Sequence, residues 1–172
     1  MDDFAKIVMG YDERGNRIEE AYFGADGQPL VRRGGFAKVT SKYDERGNLV
    51  QQAFFGTSFP GSFWEPVMLK VGFAAWTARY DERGNRVEQT FLGTDGQPVL
   101  RADGFAKIVM EYDKRGNLIG QAYFGTDSQP AMLGAGYTKV VMKYDERDNL
   151  TSQAFFDDTG RQVGDSNAMQ VK

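Results

Sequence analysis

Apolar and polar residues alternate along this chain in short bursts that end at Gly, Pro or a charged cluster about every eight to ten residues. The stretch Phe105–Tyr112, "FAKIVMEY", is rich in β-branched and aromatic residues and free of Pro, which predicts a strand. Asn117–Gly125, "NLIGQAYFG", predicts a second strand. Gln97–Arg101, "QPVLR", predicts a short third one, with Pro where a missing N–H is tolerated. Breakers this close together leave no room for helices of ordinary length.

These pieces recur. "YDERGN" stands at Tyr11–Asn16, Tyr43–Asn48 and Tyr80–Asn85, with "YDKRGN" from Tyr112 and "YDERDN" from Tyr144. The Tyr-Asp pairs are spaced by 32, 37, 32 and 32 residues. A period of this size marks a repeat architecture. The organisation expected is a single repeat domain of five units, at 4–35, 36–72, 73–104, 105–136 and 137–167, with a degenerate cap at 168–172. Met169 and Val171 in that cap alternate like a strand over the last edge. The fold class expected is all-β: a tandem-repeat array of β-hairpins, as an open twisted sheet or a β-solenoid. Closure into a five-bladed ring is the alternative that five units permit.

The hexapeptide reads as a turn. Asp at the first turn position and Gly at the fourth is a type I signature, and a left-handed Gly after it makes a hairpin with a G1 bulge. Asp148 replaces that Gly in the fifth unit, and Asp is among the few residues that tolerate a positive φ. "ADGQP" and "TDGQP" carry a second hairpin signal.

With the bulge at the turn, Tyr11 is expected opposite Arg17, Met9 opposite Glu19, Ile7 opposite Ala21 and Ala5 opposite Phe23; the alternative, a direct four-residue loop, would shift the second strand by one and regroup the faces. In the bulged register one face is apolar. The other carries Val8 with Glu20 and Lys6 with Tyr22, and likewise Lys38 with Phe54, Lys107 with Tyr123 and Lys139 with Phe155. Ala75 breaks the series opposite Phe91. This Lys/aromatic/Gln face reads either as a ribbon for an extended partner, with cation–π pairs at each step, or as a solvated sheet surface.

The second unit departs from its siblings. "SFPGSFWEP", Ser58–Pro66, adds Phe59, Phe63 and Trp64, and the next strand has Trp76 where the others have Ile7, Val39, Ile108 and Val140. Two readings stand: an aromatic recognition patch on a loop, or Trp64 and Trp76 packed together to fill space. The candidate ligand-binding residues are therefore Phe59, Phe63, Trp64 and Trp76 with Lys6, Lys38, Lys107, Lys139, Tyr22 and Tyr123.

Composition narrows the chemistry. The 172 residues contain no Cys and no His, so disulfides, the commonest general base and the commonest zinc ligands are missing. No phosphate loop or calcium-loop pattern occurs, and the adjacent carboxylates Glu19/Glu20 and Asp157/Asp158 point to opposite sides of a strand. No catalytic residue, cofactor or metal is expected. The net charge of −3 argues against broad nucleic-acid or membrane binding, and no apolar run or leader-like start is visible. Protein or peptide is the expected partner, a carbohydrate held by the aromatic insertion is the alternative, and edge-to-edge association of copies is compatible with open strands.

The "YDxxGN" turn after an aromatic strand, at Tyr11, Tyr43, Tyr80, Tyr112 and Tyr144, resembles the YD repeats of the Rhs type. A fainter likeness is to MORN-type hairpin repeats. The resemblance implies a β-hairpin array used as shell, scaffold or binding surface, and carries over no catalytic residues. The longer period and "FGTDGQPVLR" depart from that pattern.

Overall fold

A computed structural model describes residues 4–57 and 64–167. Its strands are β1 (Lys6–Tyr11), β2 (Arg17–Phe23), β3 (Lys38–Tyr43), β4 (Leu49–Gly56), β5 (Glu65–Pro66), β6 (Ala75–Tyr80), β7 (Arg86–Leu92), β8 (Lys107–Tyr112), β9 (Leu118–Phe124), β10 (Lys139–Tyr144), β11 (Leu150–Phe156) and β12 (Gln162–Asn167). The sheet order follows the chain, β1-β2-β3-β4-β6-β7-β8-β9-β10-β11-β12, with β5 set against β4. β1 and β12 stand at the two ends of that order, so the hairpins form an open array and not a closed ring. Among the described residues no helix is long and apolar enough to cross a membrane.

The chain divides into two compact units, Met1–Ala78 with Phe91–Ala102, and Arg79–Thr90 with Asp103–Lys172. In the first, β1 pairs β2, β2 pairs β3, β3 pairs β4, and β4 pairs β6, all antiparallel. In the second, β8 pairs β9, β9 pairs β10, β10 pairs β11, and β11 pairs β12. β12 takes the place next to β11 earlier than the expected cap, whose Met169 and Val171 lie outside the described residues.

The hexapeptide turns as its chemistry requires. Gly15 donates to the Asp12 carbonyl at 3.0 Å, Asp12 donates to the Asn16 carbonyl at 3.0 Å, and Gly15 has φ +83°. Asp148 holds the same place at φ 63°. Tyr11 then pairs with Arg17, as expected.

Above that pair the register departs from expectation. Gly10 faces Glu19, Met9 faces Glu20, Val8 faces Ala21, Ile7 faces Tyr22 and Lys6 faces Phe23, with a shift between Gly10 and Tyr11. A second bulge, at Ile18, leaves one extra residue in β2. The same shift recurs between Lys42 and Tyr43, Glu111 and Tyr112, and Lys143 and Tyr144. One residue of slip turns a whole strand over. Tyr22 therefore lies opposite Ile7, and Lys6 opposite Phe23.

The slip builds the core. In the first unit Phe4, Tyr22, Phe36, Phe54, Phe73 and Phe91 form a ladder of rings with centroids 4.9 to 6.3 Å apart. In the second, Phe105, Tyr123, Tyr137 and Phe155 continue the pattern at 4.9 to 6.1 Å. Edge-on and tilted ring pairs at such spacings add stabilisation beyond area burial, about 0.5–1.5 kcal/mol each. Tyr22 is 3% exposed, Phe91 2% and Trp76 9%, so these residues are core. The guanidinium of Arg32 lies 4.3 Å from the Tyr22 ring centre, and that of Arg101 lies 4.6 Å from Phe91.

The expected third strand shrinks to single bridges, Phe23 with Pro29, Leu92 with Pro98 and Phe124 with Pro130, and to the two residues of β5 in the second repeat. The ladder bonds flank each Pro and do not call on its missing N–H: Gly24 donates to the Gln28 carbonyl at 2.8 Å and Leu30 to the Tyr22 carbonyl at 2.9 Å.

Candidate ligand-binding face

Tyr, Asp, Arg, Gly and Asn of the hexapeptide each have a structural task. The Asp44 carboxylate accepts from the backbone N–H of Arg46 at 2.9 Å and of Asn48 at 2.8 Å, and from the Asn48 side chain at 2.9 Å. The Asn48 side chain, with these backbone donors, holds the Asp44 carboxyl below its ordinary value. The Arg reaches forward one corner. Arg14 donates to the Glu45 carbonyl at 2.6 Å, and Arg115 to the Asp145 carbonyl at 2.7 Å. The Tyr reaches back: the Tyr43 hydroxyl donates to the Arg17 carbonyl at 3.3 Å, and that of Tyr112 to the Arg86 carbonyl at 3.2 Å. The corners are thus tied to their own bend and to their neighbours, which leaves few of their polar groups for a ligand.

The opposite end of each hairpin is different. Because of the second bulge, the face that carries lysine also carries the second ring of each aromatic pair. The Lys6 ammonium lies 5.8 Å from the Phe23 ring centre, and that of Lys107 lies 5.0 Å from Phe124. Lys139 faces Phe156 across β10 and β11. The expected partners Tyr22, Phe54, Tyr123 and Phe155 are on the ladder face, and Gln52, Gln121 and Gln153 go with them. Gln52 donates to Ser41 at 3.3 Å, and the Tyr123 hydroxyl donates to Gln121 at 3.2 Å. Burial raises the Tyr123 hydroxyl pKa above its ordinary value.

Two places on the lysine face stand out. In the first unit Trp64 packs edge-on against Phe23 with centroids 6.2 Å apart, and Lys38 lies 5.4 Å from the Trp64 ring centre. Lys38 also pairs with the Glu19 carboxylate at 2.8 Å. Trp64 therefore serves the lysine face while Trp76 serves the ladder face. Phe59 and Phe63 lie outside the described residues. In the second unit a groove of about 390 Å³ is lined by Phe124, Pro130, Lys139, Phe156 and Asp158, among others.

Sequence reasoning named Lys139 but missed Phe124, Phe156 and Pro130. The available sign was the doubled aromatics, Tyr22-Phe23, Phe54-Phe55, Tyr123-Phe124 and Phe155-Phe156. Adjacent strand residues point to opposite faces, so a doubled ring places one on each. Among the described residues no cluster of three or more metal-binding side chains occurs.

No family model and no curated protein matches this chain. Among solved structures it is similar to those described as TcdB2-TccC3-Cdc42 and TcdB2-TccC3-TEV, with TM-scores of 0.41 and 0.40 at 16% identity. The likeness covers 87% of this chain and 7% of each of those chains, and assigns it no activity.

Proposed function

We propose that this chain is a non-enzymatic binding module that engages a protein or peptide through the lysine and aromatic face of its hairpins. The observation that carries the reading is the groove of about 390 Å³ at Phe124, Lys139 and Phe156. Its size is that of pockets that hold a small ligand or a side chain, roughly 300–1,000 Å³. Its walls are mostly apolar, with one cation, Lys139, and the carboxylates of Asp157 and Asp158 at the lining, which suits the recognition of a ring or an extended segment. The absence of His and Cys from the sequence favours binding over catalysis. The resemblance of the corners to YD repeats, whose arrays serve as shells, scaffolds or binding surfaces, favours the same class.

Selection of peptides from a random displayed library against the full chain tests this. Enriched peptides are expected to lose binding to a Lys107→Ala/Lys139→Ala variant that keeps the parent melting temperature. Failure to enrich any peptide, or enriched peptides indifferent to both lysines, overturns the reading. Glycan binding on an array with no peptide enrichment would favour the carbohydrate alternative.

A further inference from the structure

The two places on the lysine face are the same place in two copies of the repeat. Ala21 faces Lys38 across β2 and β3, and Ala122 faces Lys139 across β9 and β10. From this register Phe23 corresponds to Phe124, Pro29 to Pro130, Lys38 to Lys139 and Phe55 to Phe156. Pro29 and Pro130 each bridge their own Phe. The first copy is filled: Trp64, brought by the longer loop, lies against Phe23 and under Lys38. The second copy has no such loop, since "DDTGRQV" follows Phe156, and there the groove is open.

Building on the binding reading above, we propose that the Phe124–Lys139–Phe156 groove receives the side chain of a tryptophan presented by a partner peptide. The chain carries its own template for that complex, the indole of Trp64 in the equivalent position. Among aromatic side chains the indole ring of tryptophan is the best cation–π partner for a lysine. The lysine of the open copy is also less committed. Glu19, which pairs with Lys38, is replaced at the corresponding position by Gly120, and Lys139 has no ion pair among the described residues. Of the carboxylates that line the groove, Asp157 is engaged by Thr159 and Arg161, and Asp158 is exposed.

Acetyl-Trp-Glu-Pro-amide, the chain's own Trp64–Pro66 sequence, is the probe, with acetyl-Ala-Glu-Pro-amide as control. In saturation-transfer NMR at millimolar peptide, the full chain is expected to saturate the indole protons. Phe124→Ala should abolish this, and Phe124→Leu serves where the alanine variant does not fold. Lys139→Ala should weaken binding about threefold or more. Trp64→Ala opens the first copy, so a second equivalent binding site should appear. No indole saturation, equal binding of the alanine peptide, or an unchanged site number in Trp64→Ala overturns the proposal. If library peptides bind the lysine face without tryptophan, the binding reading survives and this inference fails.

Discussion

Arg83 donates from Nη2 to the carbonyl oxygen of Asp113 at 2.8 Å, across 30 residues of chain. Its Nη1 reaches the next carbonyl, that of Lys114, also at 2.8 Å. One planar guanidinium thus holds two backbone acceptors of the following corner. With the reach of Arg14 and Arg115 to their following corners, it gives the Arg of "YDERGN" a task in three copies, at a position of which a type I turn asks nothing.

Arg83→Lys keeps the charge and loses the fork. Hydrogen bonds from charged donors contribute about 1.5–3 kcal/mol, less where the side chain is half exposed, so a loss of about 1 kcal/mol is expected. Urea unfolding followed by circular dichroism measures it. A lysine variant as stable as the parent would show that the fork does not couple the corners.

Gly47 has φ +86°, and nothing lies within 4 Å of where an alanine methyl would stand, so Gly47→Ala isolates the backbone contribution. The expected destabilisation is roughly 1–2 kcal/mol. Gly47→Asn should lose less, because Asn visits the left-handed region more readily. Equal losses for the two substitutions would point to a cause other than φ.

The corner carboxylates predict an acid limb. Side-chain hydrogen bonds from Asn16, Asn48, Asn85 and Asn149 are the first cause that holds Asp12, Asp44, Asp81 and Asp145 below their ordinary value of 3.8. A carboxyl whose folded pKa is depressed stabilises the fold above the unfolded value, and that contribution disappears as pH falls through the folded one. Unfolding midpoints should therefore be level above about pH 5 and fall steadily below about pH 4. Asp44→Asn should show a shallower fall. A midpoint that rises on acidification would contradict the sign.

The two tryptophans should behave differently. Trp76 is 9% exposed on the ladder face, so Trp76→Ala should cost about 3–5 kcal/mol. Trp64, half-buried against Phe23 and Lys38, should cost less. Acrylamide should quench a Trp76→Phe variant, which reports Trp64, more strongly than a Trp64→Phe variant. The reverse order would misplace both residues.

Much of the fold is legible in the sequence. Asp and Gly at fixed spacing locate four of the five YD corners, and Asp148 at positive φ in the fifth follows from the tolerance of Asp for that region. The second bulge is not so plain. Its trace is two adjacent apolar residues at the start of β4 and β9, Leu49-Val50 and Leu118-Ile119, where alternation breaks. Missing it puts Tyr22 and Tyr123 beside lysines when they belong to the ring ladder. The links between corners, made by Arg14, Arg115 and Tyr112, join residues 26 to 31 positions apart and leave no local pattern. The correspondence of the Trp64 site with the open groove needs the register itself.

If the repeated corners fold the chain and the lysine face binds, the two parts of the hairpin should respond differently to a partner. Backbone amide shifts in two-dimensional NMR, recorded as a selected peptide is titrated into the full chain, test this most directly. The expected result is movement concentrated at Phe124, Lys139 and Phe156, with the corner residues Asp12 to Asn16 and their counterparts unmoved. Movement concentrated at the corners, with Lys139 unmoved, would contradict it.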